Sequence, residues 1–427
     1  MACEQLTRLG DVIELEDVKR EPISSRDRKD RKGSYPYYGA QGIVDYLDDY
    51  TYEGDYLLVA EDGENLRSRK NPIANAASGK FRVNNHAHVI AESEKCNLVF
   101  LRHLLNMTDI SAYVTGSTQP KLSQSNLCAM KLPLPSMVEQ NAIANVLSLF
   151  DRKIELNNQL NDYLLELATA RFEQELAKES KTYRFSELIE LEDSKRVPLN
   201  SRDRKVRKGS YPYYGATSIM DYVDDYLFDG IRVLLGEDGT VIREDGKPVL
   251  QYVWGKYWVN NHAHILKSKV DYSLEAIYIA LARTTINHIV TGAVQMKISQ
   301  KNLNDLELEM PTASSLDYLE DIFALYRSNA EESKKLEILR DVLLPKLLSG
   351  KIDVSKVDLT QLTNNHLWVL GHNVPNRYWK GHLWKPSLIM FCRRCRTCLI
   401  RHSSNIWPKY SESRCCQLRK HQCHRIC

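Results

Sequence analysis

Two clusters of basic residues carry the side chains best suited to hold phosphate groups. In each cluster, five cations within seven residues are followed by three closely spaced tyrosines. Contact with a nucleic-acid backbone needs Arg and Lys donors gathered in this way. We predict backbone contacts by Arg26, Arg28, Lys29, Arg31, Lys32, Arg202, Arg204, Lys205, Arg207 and Lys208. A solvated charged loop is the alternative, and the tyrosines could equally belong to the core.

A second pair of phosphate contacts is predicted in a loop that begins with Thr-Gly. Lys121 follows Thr115-Gly116, and Lys297 follows Thr291-Gly292 at the same spacing. A structural turn is an equal alternative for this loop.

The pentapeptide Asn-Asn-His-Ala-His at 84–88 raises the question of a metal site. On a strand, His86 and His88 would project to the same side. No Cys or carboxylate completes a ligand set at a recognisable spacing. Local hydrogen bonding at a strand end is therefore favoured, and no metal site is predicted.

Catalytic signatures are absent from the sequence. No glycine loop ends in Gly-Lys-Ser/Thr. The string nearest to an amino-methyltransferase motif, Asn71-Pro72-Ile73-Ala74, lacks the second proline and the aromatic residue. We predict no catalytic residue and no cofactor bound by this chain.

The chain is a tandem repeat in which the segment that begins at residue 15 returns at residue 191. Residues 15–50 and 191–226 are identical at 27 of 36 positions, and NNHAH at 84–88 returns at 260–264 without a gap. Between these anchors, residues 51–83 and 227–259 match at only 10 of 33 positions. One scaffold that carries two different inserts could read two different targets.

Residues that read a sequence are expected where the two copies differ. Arg can hydrogen-bond guanine edges bidentately in the major groove, and Asn or Gln can do the same for adenine. The candidates are Asn65, Arg67, Arg69, Lys70, Asn71, Asn75, Thr240, Arg243, Lys247 and Gln251. Ordinary divergence of a loop is the alternative for any one of them.

A long helix follows the mixed part of each copy. Apolar residues recur mostly at spacings of three and four, and each helix is expected to run for about 40 residues, ~60 Å. We favour antiparallel packing of the two helices, with packing of each on its own domain as the alternative. The predicted seam contains Ile143, Leu147, Phe150, Ile154, Asn157, Leu319, Phe323, Tyr326 and Ser333, and the stripe continues through Leu160, Leu164, Leu167, Leu336, Leu339 and Leu343. Asn157 and Ser333 are predicted to set the register, as polar residues do in coiled coils.

Charge separates the end of the chain from its body. From residue 361 onward there are 12 Lys and Arg and a single acid, Glu412, whereas residues 1–360 hold 46 basic and 54 acidic residues. A zinc module and aberrant, frameshifted sequence both fit the tail, and we favour the second. Its possible ligands are Cys392, Cys395, Cys398, His421, Cys423, His424 and Cys427. Because no signal peptide or membrane-spanning run is seen, we expect a cytoplasmic protein.

Over residues 6–353 the sequence resembles the specificity subunits of type I restriction–modification enzymes. The resemblance rests on the string YPYYGA at 35–40, on VNNHAH at 83–88, on TGSTQPKL at 115–122, and on the closing LRDVLLPKLLSG at 339–350. It implies an α+β fold in which two tandem target-recognition domains with small twisted sheets alternate with two long antiparallel coiled-coil helices. The predicted boundaries are 1–136 and 181–312 for the domains, 137–180 and 313–353 for the helices, and 354–427 for the tail.

The resemblance also implies a function for the chain. Such a subunit binds a bipartite, asymmetric double-stranded DNA site and docks DNA methyltransferase subunits, expected to be two, and through them restriction subunits. The assembled complex would methylate adenine and cut DNA with ATP, so S-adenosylmethionine, ATP and magnesium would belong to the partner subunits. A stand-alone DNA-binding or decoy protein is the alternative, and a self-contained modifying enzyme is disfavoured by the missing motifs.

Overall fold

The computed structural model describes residues 6–292 and 295–354, and within them the sequence repeat is also a structural repeat. We call the elements before the first long helix domain 1. Its strands are β1 (Leu6–Arg8), β2 (Glu14–Leu15), β3 (Lys32–Gly39), β4 (Gly42–Leu47), β5 (Tyr52–Ala60), β6 (Ala74–Val83), β7 (Ala87–Ala91) and β8 (Lys131–Pro133). Its helices are α1 (Asn65–Ser68), α2 (Leu98–Met107) and α3 (Gln124–Ala129).

Six strands of domain 1 form a mixed sheet in the order β2-β7-β5-β6-β3-β4. Strands β3 and β6 are parallel, and the other neighbours are antiparallel. Successive residues of β5 point to opposite faces, so Leu57 and Val59 join the main core while Leu58 joins a smaller cluster on the other face. Helix α2 packs on the main core through residues that include Phe100 and Leu104.

The first long helix, α4 (Met137–Lys178), leads into domain 2. The strands of domain 2 are β9 (Ser180–Arg184), β10 (Ile189–Leu191), β11 (Lys208–Tyr214), β12 (Ile219–Val223), β13 (Phe228–Asp229), β14 (Arg232–Gly236), β15 (Leu250–Val253), β16 (Lys256–Val259), β17 (Ala263–Ser268), β18 (Val290–Thr291), β19 (Lys297–Ile298) and β20 (Glu307–Pro311). Its helices are α5 (Phe185–Leu188), α6 (Ser201–Val206), α7 (Leu274–Arg283) and α8 (Gln300–Asn304). The second long helix is α9 (Tyr318–Leu348).

The sheet of domain 2 is divided where that of domain 1 is continuous. Its strands form two four-stranded sheets, β10-β17-β14-β15 and β12-β11-β16-β13. The division falls at Gly230 and Gly255, whereas Gly54 and Gly79 pair at the equivalent place within unbroken β5 and β6, and all four glycines have positive φ. The two copies therefore share one path but differ in regularity at this bend.

The two long helices differ in length. Helix α4 has 42 residues and begins with a capping box, in which the Ser136 hydroxyl accepts from the Glu139 backbone and the Glu139 carboxylate accepts from that of Ser136. Helix α9 has 31 residues, ~46 Å, and our expectation of about 40 for it was wrong. It begins late because residues 313–315 form a 3₁₀ turn before it. In the described residues no helix is both long and apolar enough to cross a membrane.

The helices α4 and α9 pack against each other in antiparallel directions, as predicted. Contacts that involve later residues of α4 involve earlier residues of α9, from Asp151 with Arg340 to Asn161 with Tyr326. The alternative, in which each helix packs on its own domain, also holds at the helix ends. Ile143, Leu147 and Phe150 lie in the core of domain 1 together with Leu336, Leu344 and Leu347 of α9, while Ala168 and Phe172 join Leu319 and Phe323 in the core of domain 2.

The middle of the helix pair is polar and buried. The Asn157 side-chain amide donates to the Asn329 carbonyl, to Glu332 Oε2 at 2.9 Å and to Ser333 Oγ at 3.3 Å. The Asn329 side-chain amide donates a further hydrogen bond to Asn161 Oδ1 at 2.9 Å. Asn157 and Ser333 are equivalent residues of the two copies, so the repeat brings its own counterparts into contact here.

Part of the predicted apolar stripe lies outside the helix seam. Leu160, Leu167 and Leu339 are each about 40% exposed. At the centre of α4 the side that faces α9 carries Asn157 and Asn161 instead of leucines. Including these three leucines in the stripe was wrong, because spacing alone does not distinguish a buried face from an exposed one. Ile154 and Tyr326 are partly buried.

Candidate nucleic-acid interface

In domain 1, three of the five predicted backbone-binding cations form ion pairs within the protein. Arg28 lies 3.0 Å from Asp45, and Lys32 lies 2.5 Å from the same carboxylate. Arg31 lies between the carboxylates of Asp48 and Asp49, with the shorter distance, 2.7 Å, to Asp49. Hydrogen bonds from Lys32 and from the Tyr46 backbone lower the pKa of Asp45 to about 2.

The second cluster repeats this arrangement. Arg204 and Lys208 contact Asp221 at 3.5 and 2.5 Å, and Arg207 contacts Asp224 at 2.9 Å. These three cations, like their equivalents Arg28, Arg31 and Lys32 in domain 1, hold the basic segment against the neighbouring β-hairpin. Carboxylates already contact these cations, so a phosphate would compete with them, and their assignment to DNA stays a prediction.

Two cations of each cluster are left for a ligand. Arg26, Lys29, Arg202 and Lys205 are exposed, and the described residues offer none of them an ion-pair partner within 4.0 Å. Their role in backbone binding stays a prediction.

The tyrosines divide between core and surface. Tyr37 and Tyr213 are 1% exposed, and the Tyr37 hydroxyl accepts from the Ile23 backbone while the Tyr213 hydroxyl accepts from that of Leu199. The guanidinium of Arg28 lies over the Tyr37 ring, 5.6 Å from its centroid. These two tyrosines are structural, whereas Tyr35, Tyr38, Tyr211 and Tyr214 are partly buried.

Lys121 and Lys297 each contact a carboxylate of a buried polar network. Lys121 lies 3.0 Å from Glu61, and Lys297 lies 3.4 Å from Glu237. Both side chains remain 54% exposed. A phosphate could therefore approach either lysine, but it would compete with the glutamate.

The network around Glu61 contains one of the two histidines of the pentapeptide. His88 Nδ1 lies 2.6 Å from Asp17, and Nε2 lies 2.8 Å from the Leu122 carbonyl oxygen. Arg20 donates to Glu61 at 2.6 Å and also pairs with Asp17. Burial raises the pKa of Asp17, but hydrogen bonds from His88 and the Val89 backbone outweigh it and leave that pKa below its ordinary value.

Domain 2 contains the same network at equivalent positions. His264 lies 2.6 Å from Asp193 and 3.0 Å from the Ile298 carbonyl, and Arg196 donates to Glu237 at 2.7 Å. In each network one aspartate, one glutamate and one histidine lie close enough together to surround a metal ion. Both ring nitrogens of each histidine, however, already face hydrogen-bond acceptors. The carboxylates likewise accept from arginine. The arrangement is suited to tying strands together, not to open coordination.

His86 and His262 lie outside these networks. We expected His86 to share a strand with His88, but β7 begins only at Ala87, and Asn85 and His86 form the turn before it. The His86 ring contacts Asp62 at 2.7 Å and is 47% exposed. The strand geometry predicted for the pair was therefore wrong.

The base-reading candidates of domain 1 fall into two groups. Asn65 is 4% exposed, and its amide donates to the Asn71 carbonyl and accepts from the Asn71 backbone. Arg69 has a left-handed backbone, φ 51°, and its guanidinium donates to the Leu105 and Asn106 carbonyls at the end of α2. The structure argues against both as base readers, because the Asn65 amide is buried and the Arg69 guanidinium is held against the end of α2 with one terminal nitrogen buried.

The remaining candidates of domain 1 are more accessible. Lys70 and Asn71 are exposed and Asn75 is partly buried. Arg67 is exposed, and its guanidinium donates to the carbonyls of Gly116 and Ser117. Arg67 thus joins the divergent insert to the Thr-Gly loop. We call the surface formed by residues 62–71 and 115–121 the reading face.

In domain 2 the candidates lie on and beside a hairpin-like loop. Arg243 and Lys247 both pair with Asp245, at 2.5 and 3.5 Å. Gln251 donates to the Gly215 carbonyl and is therefore structural, whereas Thr240 is exposed. The Gly239 backbone donates to the Met296 carbonyl at 2.9 Å, so this insert also adjoins its Thr-Gly loop. Residues 238–247, 291, 292 and 295–297 form the second reading face.

Sequence reasoning missed the two buried networks. Asp17, Arg20, Glu61 and His88 are each identical to their counterparts in the second copy, and this signal was available. It was not used because the four residues are spread along most of domain 1 and meet only through the folding of β5 and β7 beside the segment after β2. The tail, including its cysteines and histidines, lies outside the described residues.

A profile described as the type I restriction modification DNA specificity domain matches residues 5–166 and again residues 177–337. The chain belongs to this family. The two matches coincide with the two copies of the repeat, so the family supplies the same division that the sequence shows.

Similar proteins carry the same description. Over 372 residues the chain is 26% identical to the candidate type I restriction enzyme specificity subunit S.HindORF215P of Haemophilus influenzae, covering 79% of this chain and 94% of that protein. It is 22% identical over 348 residues to the type I restriction enzyme MjaIX specificity subunit of Methanocaldococcus jannaschii, covering 70% of this chain and 80% of the other. The solved S subunit of a type I system from M. genitalium aligns over 80% of this chain and 95% of its own, with 17% identity and a TM-score of 0.45.

Proposed function

We propose that this specificity subunit reads a bipartite, asymmetric double-stranded DNA site, with one domain on each half of the site. The observation that carries the proposal is the repeat itself. Two copies of one scaffold, nearly identical over residues 15–50 and 191–226, hold segments that differ in sequence and in local structure, and each copy packs on a different end of one helix pair. Two unlike half-sites held at a fixed separation require such an arrangement.

Within each domain, backbone contact and base reading are assigned to different segments. The exposed cations Arg26, Lys29, Arg202 and Lys205 belong to the nearly identical segments, which cannot distinguish two half-sites. The two reading faces include parts of the divergent inserts, with Lys70 in the first and Thr240 in the second. Arg67 and Arg243 are identical at equivalent positions and differ in their partners, which are the Gly116 and Ser117 carbonyls for Arg67 and Asp245 for Arg243. Phosphate contacts supply affinity, and contacts to base edges supply specificity.

The helix pair fixes the distance between the half-sites. Antiparallel helices with apolar contacts at both ends cannot slide without exposing Phe150 or Phe323. At the centre, the bonds of Asn157 to Glu332 and Ser333 are lost in any other register. A buried polar residue that specifies register in this way is well attested in coiled coils.

An exposed apolar stripe on α4 is the docking surface that we assign to partner subunits. Leu156, Leu160, Tyr163 and Leu167 are between 39% and 63% exposed. Their spacings of four, three and four residues place them on one side of the helix. On α9, Ile338, Leu339 and Val342 are also exposed. Exposed apolar patches of this kind mark protein–protein contacts.

We assign DNA methyltransferase subunits, two in number, to these surfaces, and restriction subunits to the complex through them. The specificity subunit is non-catalytic in this proposal. S-adenosylmethionine, ATP and magnesium belong to the partner subunits, which catalyse the reactions, while this chain selects the DNA site.

The proposal is tested by assembly. The double variant Leu156→Asp with Tyr163→Asp is expected to lower co-purification with the methyltransferase subunit at least tenfold, because charges would enter an apolar contact. The purified chain should keep its thermal midpoint, since both positions are exposed. Asn158→Asp, an exposed position on another side of α4, is the matched control and should assemble normally.

Two results would contradict parts of the proposal. Normal assembly of the double variant would place docking elsewhere. Failure of the unaltered chain to bind any methyltransferase, with site-specific DNA binding retained, would favour the stand-alone or decoy alternative.

A further inference from the structure

The two long helices carry opposite charges at one pair of equivalent positions. Asp151 on α4 and Arg327 on α9 occupy the same position in the two copies of the repeat. Each lies where its helix meets its own domain: Asp151 faces α2 of domain 1, and Arg327 faces α7 of domain 2.

At the first position, three donors surround one carboxylate. Asp151 accepts from Arg102 and from His103 Nε2, at 2.8 Å for the histidine, both on α2. It also accepts from Arg340 of α9 at 2.9 Å. Burial raises the pKa of Asp151, but these contacts outweigh it and lower that pKa to about 2. The carboxylate therefore ties domain 1 to both helices.

At the second position, the charges are reversed. Arg327 donates to Glu275 of α7 at 3.1 Å and to the Tyr252 hydroxyl. Tyr252 in turn donates to Glu275 at 2.5 Å. Glu275 is 5% exposed, so its charge is compensated almost entirely by these two groups.

Where α4 meets domain 1 and α9 meets domain 2, the apolar residues of the two copies are much more alike than the charged ones. Ile143 and Leu147 of α4 correspond to Leu319 and Phe323 of α9, and all four are buried in a domain core. Hydrophobic burial is non-directional and would accept either domain with modest repacking. Discrimination between the domains is therefore left to the charged contacts.

We propose that the reversed charges at Asp151 and Arg327 match each end of the helix pair to one domain, and so disfavour an exchange of the two DNA-reading domains. If the domains were exchanged, α7 would bring Glu275 towards Asp151, and α2 would bring Arg102 and His103 towards Arg327. Glu275 would then meet Asp151 with Arg340 still beside it, and Arg102 would meet Arg327 in a partly buried site, so like charges would be brought together at both ends, which is unfavourable. Asp151 and Arg327 act as positioning residues.

The test exchanges segments 6–136 and 182–312, which are equal in length because the offset between the copies is constant. On the full-length chain, this exchange is combined with Asp151→Arg, Arg327→Asp and Arg340→Leu. Arg340→Leu is needed because Arg340 would otherwise face the arginine introduced at position 151. Leucine is chosen because the equivalent position on α4 is Leu164. The thermal midpoint and hydrogen exchange of α2 and α7 are measured.

The same three substitutions are expected to act with opposite sign in the two orders. In the natural order they should lower the thermal midpoint by about 5 °C or more and speed exchange of α2 and α7 amides at least tenfold. In the exchanged order they should raise the midpoint and restore protection. Effects of the same sign in both orders would overturn the proposal.

A second pair of variants covers the case in which neither exchanged chain is soluble. In the natural order, Arg327→Glu should destabilise α7 selectively, and adding Glu275→Arg should restore at least half of the loss. Absence of any recovery would overturn the proposal. These readouts report stability within one chain, so they are independent of whether the chain reads a bipartite site.

Discussion

Domains 1 and 2 agree most closely where they are buried and differ most where they face solvent. The histidine network has the same partners in both, and the His–Asp distance is 2.6 Å in each. Beyond Glu61 and Glu237, the structures diverge. Domain 1 forms the short helix α1 and the continuous strand β6, whereas domain 2 forms a loop closed by Asp245 and two separate strands, β15 and β16.

This difference shows how one scaffold can hold different readers. Each insert contains the glutamate that both copies share, Glu61 or Glu237, and leads into the pentapeptide that both copies share, so the network holds it at both places. A buried ion network tolerates little change because the loss of one partner leaves another charge unpaired. Exposed insert residues such as Lys70 and Thr240 are under no such constraint.

Transplanting residues 51–83 onto positions 227–259 should remove the difference in DNA recognition between the two domains. We expect the second half-site to change to the sequence of the first, giving a palindrome-like target. Several mismatched base pairs at about 1–3 kcal/mol each would abolish binding to the original site. Methylome sequencing of a strain that carries the transplant measures this. Persistence of the asymmetric motif would place base reading in the Thr115 and Thr291 loops alone.

Phe150→Asp should affect domain 1 and not domain 2. Phe150 is 4% exposed in the core shared by domain 1 and the helix pair. A charge there should lower the free energy of unfolding by about 3–5 kcal/mol. Faster hydrogen exchange in α2, with α7 unchanged, would show the local effect, and the methylated motif should lose its fixed spacing. Phe323→Asp is the matched variant for domain 2. Equal loss of protection in α2 and α7 for either variant would show that the two domains unfold together.

Asp17→Asn and Asp193→Asn should have equal effects if the two networks are equivalent. Each removes a carboxylate that contacts a buried histidine, with an expected loss of about 3 kcal/mol at pH 7. Asp62→Asn, beside the exposed His86, is the control and should cost less than about 1 kcal/mol. Urea unfolding of each variant provides the measurement. A loss in only one of the two domains would contradict the equivalence.

Acid should weaken both networks over the same range of pH. The pKa values of Asp17 and Asp193 are lowered in the folded chain, for burial opposes their ionisation less than the hydrogen bonds from His88 and His264 favour it. Their contribution to stability is therefore complete above the ordinary aspartate value of 3.8 and is lost as pH falls through the lowered folded-state values. The unfolding free energy should fall as pH drops below about 4, and less steeply in the Asp17→Asn variant. An unchanged acid profile in that variant would contradict this account.

The smallest expected effect distinguishes the exposed cations of the basic clusters from those that pair with aspartates. Arg26→Ala with Lys29→Ala should weaken binding to all DNA sequences alike and reduce the salt slope by about one unit per lost phosphate contact, without loss of stability. Arg31→Ala is the comparison, because Arg31 contacts Asp48 and Asp49, and it should alter stability more than the slope. Filter binding at several salt concentrations measures both. A slope that changes only with Arg31→Ala would reverse the assignment.

The sequence by itself determined the repeat, the two long helices and the family to which the chain belongs. Periodicity and internal identity are local or linear properties, so they can be read without coordinates. Asn157 and Ser333 could be singled out because their equivalent positions interrupt an apolar stripe. The same reasoning placed the exposed residues Leu160 and Leu167 in the apolar stripe, since a helical spacing does not state which side is covered.

Only the tertiary structure decided how the charged residues are used. Arg28, Arg31 and Lys32 looked like free DNA contacts because their acidic partners lie further along the chain, across a hairpin. Asp17 and His88 are far apart in the sequence and meet through strand pairing. Whether a cation binds DNA or a carboxylate of its own chain depends on which groups the fold brings within hydrogen-bonding distance, and that distance is not a property of sequence spacing.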